Sequence, residues 1–355
     1  MRKYARIERD ALPSHLDAWI ERYGVFAPMM RDGVRRFGVL SAGSDAQPGP
    51  WLTKVPVKEM FLPQTECLYR YRRGTNGGLE IETPQDPARL RLIFGVRPCD
   101  ARALTLLDHV FRSTDRPDPY YCARRESTIL VGIGCSEPRS VCFCTSVGGS
   151  PFGEEGLDVL LVETGGDYVA KALTLKGEAL IAEMPEAAPE DTETLIAEAR
   201  RHAEASMGDA VLTAGLKERL DSGFDAPLWD RIHEPCIGCG VCAFLCPTCH
   251  CFDLAHEADT RSVAGDAGRC VRGWDTCMFS LFTRQASGVN PRPSGKERMR
   301  QRLMHKFRYF VENYGEAACV GCGRCIANCP TACDIRETIA RIDDAAEADS
   351  HAQET

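Results

Sequence analysis

The sequence predicts an α+β fold in which an N-terminal α/β domain is followed by a smaller, cysteine-rich domain. Three observations lead to this prediction. Strand-length apolar runs alternate with helical patterns up to about residue 180. Two four-cysteine runs with the same spacing lie in the C-terminal third, and an amphipathic helical pattern lies between them. A chain of 355 residues has room for two or three such domains.

The N-terminal half carries the predicted strands and helices of the α/β domain. Apolar side chains recur at helical spacing over 16–23, and residues 101–111 predict a second helix. We expect Asp100 to be the N-cap of that second helix, because its side chain can accept from a free backbone N–H. Gly165-Gly166-Asp167 is a hairpin signal. The predicted strands cover 37–40, 90–96, 128–133, 157–163 and 168–175.

Composition marks the connections between these parts. Residues 72–87 are rich in Gly, Pro and Asp and predict a surface turn, and residues 183–193 are acidic and suit a linker before a helical pattern over 194–220. The end of the chain is acidic, and we expect it to lack regular structure. The predicted parts are an α/β domain at 1–182, a linker with helices at 183–232, a cysteine-rich domain at 233–340 with an insertion at 253–315, and an acidic tail at 341–355.

Each of the two cysteine runs has the spacing C-x2-C-x2-C-x3-C-P. This spacing is typical of bacterial two-cluster ferredoxins, in which the fourth cysteine of each run binds the other cluster. Glycines inside the runs accept the backbone angles that a loop needs to wrap a cluster. The second domain is therefore predicted to be a ferredoxin-like two-cluster domain with a helical insertion. The runs consist of Cys236, Cys239, Cys242 and Cys246, and of Cys319, Cys322, Cys325 and Cys329.

We expect crosswise ligation of two [4Fe–4S] clusters. The predicted ligands are Cys236, Cys239, Cys242 and Cys329 for cluster 1, and Cys319, Cys322, Cys325 and Cys246 for cluster 2. Local ligation, with each cluster bound by its own run alone, is the alternative within this chemistry. Zinc sites or disulfides are the alternative chemistry, but zinc sites usually pair two C-x2-C halves.

Composition also limits the location and partners of the chain. Eight of the nineteen cysteines lie in the two metal-type runs, and the N-terminus does not read as a secretory leader. Thiols used as metal ligands suit a reducing cytoplasm, so we expect a cytoplasmic protein. The longest apolar run, 128–135, is too short to span a bilayer, so no direct membrane insertion is expected. A net charge of −8 gives no reason to expect a nucleic-acid partner.

Four upstream cysteines, each in or just after a strand end, form a second candidate site. Sites in α/β proteins are built at such strand ends. The residues are Cys99, Cys135, Cys142 and Cys144. They suit a third [4Fe–4S] cluster or, as the alternative, buried free thiols that pack as small apolar groups. Both interpretations stay open from the sequence.

The remaining features suggest no catalytic residue. The cysteines Cys249, Cys251, Cys270 and Cys277 either bind a metal together or pack beside the first run and tune its cluster, and we favour packing. Isolated Cys67 and Cys122 are expected to be structural. Basic residues on the helix at 296–314 form a solvated face, or lie near an anionic cluster or an acidic partner. The sequence has no dinucleotide or P-loop motif, no nucleophile elbow and no i, i+4 histidine pair.

The chain resembles the beta subunits of cytoplasmic sulfhydrogenase-type NiFe hydrogenases, and the related A subunits of anaerobic sulfite reductases, across roughly 50–335. The ferredoxin-type runs are generic, whereas Pro98-Cys99-Asp100 and the extended run 246–252 are more specific. Cys270 and Cys333 depart from the family pattern. The matching segments are 94–100, 118–121, 142–146, 246–253, 274–279, 305–307 and 319–330.

The resemblance implies an iron–sulfur electron-transfer subunit of a multi-subunit oxidoreductase, without a clear active site of its own. It implies a ferredoxin-reductase-like partner subunit that binds FAD and NAD(P)H, together with a terminal catalytic subunit of the NiFe hydrogenase or sulfite reductase type. Two alternatives remain. The chain is a catalytic reductase subunit with a substrate-binding cluster in its N-terminal domain, or it is a free-standing ferredoxin-like carrier.

Overall fold

A seven-stranded mixed sheet forms the N-terminal part of the computed structural model, which describes residues 3–50, 52–74, 77–84, 89–112, 115–185, 187, 189–259 and 266–353. Its strands are β1 (Tyr4–Glu8), β2 (Gly24–Arg31), β3 (Val34–Val39), β6 (Arg91–Val96), β7 (Thr128–Ile133), β8 (Val159–Thr164) and β9 (Asp167–Ala172). The strand order is β1-β9-β8-β7-β6-β2-β3, with parallel pairing from β2 through β8 and antiparallel pairing at both margins.

Helices cover both faces of this sheet. Every residue of β7 is buried, and alternate residues belong to separate apolar cores: Ile129 and Val131 to one, Leu130 to the other. This is the pattern of a parallel strand covered on both faces. The helices are α1 (Leu12–Arg22), α2 (Pro98–Phe111), α3 (Pro119–Glu126), α4 (Leu175–Ile181) and α5 (Pro189–Ala205). The predicted strands, the hairpin and the first two helices are confirmed.

A second, four-stranded antiparallel sheet joins distant parts of the chain. It is formed by β4 (Thr65–Arg73), β5 (Leu79–Glu82), β10 (Phe252–Ala258) and β11 (Ala267–Trp274), in the order β10-β11-β4-β5. The surface turn predicted at 72–87 is therefore wrong for 72–73, which end β4, and for 79–82, which form β5, while 75, 76 and 85–87 lie outside the described residues. All four residues of β5 are exposed, so the strand carries no burial pattern. Its pairing with β4 makes it a strand.

The C-terminal part is mainly helical and has its own apolar core. Its helices are α6 (Leu216–Ser222), α7 (Leu228–His233), α8 (Val241–Phe244), α9 (Gly295–Met304), α10 (Phe310–Tyr314), α11 (Arg324–Ala327) and α12 (Ile335–Gln353). The predicted helix at 296–314 is confirmed as α9 and α10 joined by a π-helical turn, His305–Tyr309, and it starts with a capping box of Ser294 and Glu297. The pattern at 194–220 is split between α5 and α6.

The acidic end of the chain departs from the prediction. Helix α12 continues to Gln353, so the expected lack of regular structure is wrong up to that residue. Residues 341–353 contain four alanines and Glu347, which are good helix formers, and this local preference outweighed the charge of the segment. The α+β class is confirmed. No helix among the described residues is long and apolar enough to cross a membrane.

Candidate metal centres

The first cysteine run forms a loop around a pocket at the protein surface. Gly238 and Gly240 have φ angles of 69° and 76°, a left-handed conformation that glycine adopts without strain. The thiols of Cys236, Cys239 and Cys242 line this pocket, and Cys239 is exposed. Three further cysteines line the same pocket: Cys325 and Cys329 of the second run, and Cys333 after it.

The second run is more deeply buried. Cys319, Cys322 and Cys246 are all buried, and Gly321 and Gly323 repeat the left-handed turns at φ 60° and 69°. Burial raises the pKa of Cys322 to about 12 and that of Cys325 to about 11, and the neighbouring Cys246 thiolate adds to both shifts. Lys306 donates to both Cys246 Sγ at 3.2 Å and Ala318 O at 2.9 Å, so Cys246 lies near the start of the second run.

The four upstream cysteines come together in one pocket, which also includes Cys322 of the second run. Burial, and then the negative charges of Cys142 and Cys135, raise the pKa of Cys144 to about 12. Strand β6 leads into Cys99, strand β7 leads into Cys135, and the loop after β7 carries the other two thiols. The carboxyl ends of two neighbouring parallel strands thus position this site, as the sequence predicted. The pocket is lined by Cys99, Cys135, Cys142 and Cys144.

The loop of the upstream cysteines packs directly against the second run. Phe143 N donates to Gly321 O at 2.9 Å. A Cβ atom at Gly321 would lie 2.5 Å from Phe143 O, and one at Gly323 would lie 2.5 Å from Val141 O. Only glycine permits this approach of the two backbones. The upstream thiol group and the second run are therefore immediate neighbours.

A buried ion pair joins the same two loops. Arg324 donates to both carboxylate oxygens of Asp100 at 2.7 Å, and both side chains are 1% exposed. The expectation that Asp100 is an N-cap is wrong: Arg97 occupies that position, and Asp100 lies in the first turn of α2. Pro98 takes the first helical position, which proline favours, so the helix starts three residues upstream of the expected start. Asp100 instead holds a guanidinium between Cys99 and Cys322.

Arg97 is a second buried cation beside the upstream thiols. It is 5% exposed, and among the described residues its guanidinium donates only to main-chain carbonyls, including Ile133 O at 3.3 Å and Pro48 O at 3.2 Å. Burial lowers the pKa of Arg97, while the Cys135 and Cys99 thiolates oppose that shift. Within the described ranges no carboxylate forms an ion pair with it. A buried charge without a counter-charge is costly, and an anionic thiolate-bound cluster would balance it.

Buried cations also lie beside the ferredoxin-type runs. Arg302 and Lys306 on the α9–α10 helix are buried, and the Arg302 Nε has no hydrogen-bond partner in the described part of the chain. Lys306 donates to Cys246 Sγ at 3.2 Å. Lys58 donates to Cys249 O at 2.7 Å. Over the part of the chain that is described, none of these three cations is ion-paired to a carboxylate. Burial opposes a charged Lys306, but the thiolates of Cys246 and Cys249 raise its pKa above the ordinary value.

Both interpretations of the basic helix are therefore partly right. Lys296, Arg300 and Arg308 form ion pairs near the surface with Asp230, Asp225 and Asp221. Arg302 and Lys306 face the thiols. Left-handed glycine loops, grouped thiols and uncompensated buried cations together fit thiolate-bound, negatively charged [4Fe–4S] clusters.

The four cysteines that follow the first run do not converge on one point; they are Cys249, Cys251, Cys270 and Cys277. Cys249 neighbours Cys246, whereas Cys251 neighbours Cys277. A hydrogen bond from the Cys277 thiol lowers the pKa of Cys251 to about 6. Cys270 lies apart on β11, opposite Tyr69. Among the described residues no three His, Cys, Asp or Glu side chains converge as the ligands of a single ion would.

The other cysteines make local contacts. Cys67 and Cys122 have their thiols near the carbonyls of Tyr69 and Phe111, at 3.6 and 3.7 Å. Cys333 donates its main-chain N–H to Cys329 Sγ at 3.3 Å. Cys333, which departs from the family pattern, therefore lies next to Cys329 in the first-run pocket.

The sequence did not lead us to expect three charged residues that are buried beside these thiols: Lys58, Arg97 and Arg324. One signal was present for Arg324. The first run has Val241 between its second and third cysteines, and the second run has Arg324 at the equivalent position. A cation within a cluster-binding loop indicates a nearby negative charge. For Lys58 and Arg97 no local pattern indicates burial.

Comparisons with known proteins agree with these observations. A family model described as a 4Fe-4S dicluster domain matches residues 235–333. Sulfhydrogenase 2 subunit beta of Pyrococcus furiosus is 29% identical over 335 residues, which are 92% of this chain and 95% of that protein. No solved structure matches the chain significantly. The expected resemblance to sulfhydrogenase beta subunits and the ferredoxin-type, 4Fe–4S iron–sulfur character are confirmed.

Proposed function

We propose that this relative of the sulfhydrogenase beta subunits relays single electrons through three [4Fe–4S] clusters inside a multi-subunit oxidoreductase. When bound, a [4Fe–4S] cluster accepts and releases one electron at a time. The observation that carries the proposal is the sharing of pockets by two proposed ligands of cluster 2: Cys325 lines the first-run pocket, and Cys322 lines the upstream pocket. The three thiol groups thereby form a continuous series.

The ligands follow from this grouping. Cluster 1 is held by Cys236, Cys239, Cys242 and Cys329. Cluster 2 is held by Cys319, Cys322, Cys325 and Cys246. The third cluster is held by Cys99, Cys135, Cys142 and Cys144. Crosswise ligation is supported by the position of Cys329 in the first-run pocket and by the charge of Cys246 near the second run. The third cluster is supported by its shared pocket and by uncompensated Arg97.

The order of the three groups suits transfer across the chain. The first run lies at the surface, with Cys239 exposed, and the second run lies between it and the upstream group. The Asp100–Arg324 pair and the contact between Phe143 and Gly321 fix the distance between the inner groups. Electrons would enter at one end of the series and leave at the other.

The proposed partners supply the two-electron chemistry for which this chain has no recognisable site. Clusters move single electrons, so a partner with FAD must split the electron pair of NAD(P)H. A sulfhydrogenase beta subunit is by its name one subunit of an enzyme. We propose that one partner is the ferredoxin-reductase-like subunit, whereas the other is of the NiFe hydrogenase or sulfite reductase type. We also propose a cytoplasmic location, where the thiols stay reduced.

One observation favours a second candidate function. The upstream pocket is also lined by Arg139, whose positive charge suits a small anionic substrate, and by Glu137, which carries the opposite charge. A catalytic reductase subunit would use such a pocket beside the third cluster. Turnover of sulfite, polysulfide or a disulfide by the isolated chain would support this candidate and contradict the relay.

The relay is tested in the native complex with Cys322→Ala, matched by Cys67→Ala as a control. NAD(P)H-driven reduction of the flavin and of the terminal acceptor are measured separately. We expect Cys322→Ala to leave flavin reduction intact and to slow acceptor reduction more than tenfold, whereas Cys67→Ala changes neither. Unchanged acceptor reduction in Cys322→Ala would contradict the relay through cluster 2.

A further inference from the structure

A buried positive charge lies against one proposed ligand of cluster 2. Lys306 is 3% exposed, and its ammonium group donates to Cys246 Sγ at 3.2 Å, Thr248 Oγ1 at 3.1 Å and Ala318 O at 2.9 Å. These contacts use all three N–H bonds of the ammonium group. The charge is therefore fixed beside the sulfur, with no described carboxylate to neutralise it.

A second lysine strengthens the positive field on this side. Lys58 is buried, donates to Cys249 O at 2.7 Å and Ala243 O at 3.5 Å, and lies 4.2 Å from the centre of the Trp274 ring. Ala243 and Cys249 flank Cys246 in the chain, so Lys58 is hydrogen-bonded to the main chain on both sides of this ligand.

The other two thiol groups have less positive charge close by. The first-run loop lies at the surface with Cys239 exposed, and Gly238 N, a neutral donor, contacts Cys236 Sγ at 3.4 Å. Arg302 lines the first-run pocket but also lies beside Cys325, so both runs share it. The upstream group has Arg97 and Arg139, but Glu137 lines the same pocket and Asp100 neutralises Arg324.

We infer that Lys306, assisted by Lys58, raises the reduction potential of cluster 2 and makes it the first of the three clusters to accept an electron. Reduction adds one negative charge to the cluster and breaks no bond to Cys246. A fixed positive charge beside the sulfur stabilises the reduced form more than the oxidised form, and strongly so where water is excluded. The inference rests on the proposed function and identifies the middle group as the electron store of the relay.

The test is a redox titration of the full chain, followed by EPR, with dithionite as the reductant. Cys246→Ser identifies the signal of cluster 2. In Lys306→Met we expect the reduced-to-oxidised ratio of that cluster at a fixed potential to fall at least tenfold, which is about 59 mV for a one-electron couple. Lys306→Arg keeps the positive charge, so it should keep most of the rise in the midpoint potential of cluster 2. Lys296→Met, on the same helix but paired with surface Asp230, should change nothing.

Two results would overturn the inference. One is an unchanged cluster 2 midpoint in Lys306→Met with full iron content, and the other is a wild-type chain in which cluster 2 is reduced last. If Lys306→Met does not retain iron, Lys58→Met is titrated in its place. The Lys58→Met variant keeps the contact between Lys306 and Cys246 intact. That variant should lower the same midpoint by a smaller amount, and no shift would overturn the inference. A wild-type chain without clusters would instead contradict the proposed function.

Discussion

Asp100→Ala tests the buried contact between the upstream site and the second run. The substitution removes two hydrogen bonds of 2.7 Å from Arg324 and leaves its guanidinium with Thr53, whose carbonyl lies at 2.9 Å. Removing one partner of a buried ion pair costs about 3–5 kcal/mol, because the other charge stays buried. The Cys99 and Cys322 thiolates compensate part of this charge, so we expect the lower end, about 3 kcal/mol.

The matched control is a surface pair of similar length. Lys296 and Asp230 are 2.9 Å apart with side chains 27% and 57% exposed, so Asp230→Ala should cost less than about 1 kcal/mol. Anaerobic urea unfolding of the cluster-loaded chain measures both costs. The double variant Asp100→Ala with Arg324→Met removes both charges and should be more stable than Asp100→Ala alone. A cost for Asp100→Ala no larger than that of Asp230→Ala would refute the buried pair.

Three further predictions follow from other parts of the sites. Gly321→Ala places a methyl group 2.5 Å from Phe143 O at a φ of 60°, so we expect iron loss from cluster 2; normal iron content would contradict the close loop contact. Cys329→Ala should remove the EPR signal of the cluster held by the first run, and loss of the other signal would contradict crosswise ligation. Burial, assisted by His250, lowers the pKa of His305 to about 4 from about 6.5, so the unfolded chain binds more protons between those values. Stability should therefore fall by at most about 3 kcal/mol as the pH drops from 6.5 to 4. His305→Phe should flatten this dependence of the urea midpoint, and an unchanged slope would count against it.

Local sequence patterns were enough to predict the central strands and the two cysteine runs. The central strands β6 and β7 are continuous apolar runs, and the two cysteine runs have a spacing that one kind of cluster requires. The candidate third site also followed from local information, because its cysteines lie at strand ends that parallel pairing brings together.

Features that depend on distant contacts could not be predicted in the same way. Strand β5 exists because β4 pairs with it, and β4 also pairs with β11 nearly two hundred residues later. The insertion therefore completes a sheet that begins in the N-terminal part. Lys58 lies far in sequence from the thiols that it approaches, and nothing in its neighbourhood marks it as buried. The role of Asp100 as the ion-pair partner of Arg324 also depends on a contact between residues 224 positions apart in the sequence.

Iron, sulfide and zinc content of the anaerobically purified full chain tests the central claim most directly. Three [4Fe–4S] clusters predict about twelve irons and about twelve sulfides per chain, with no zinc. About eight irons would contradict the site formed by Cys99, Cys135, Cys142 and Cys144. A colourless chain that contains zinc or no metal would contradict the iron–sulfur relay itself.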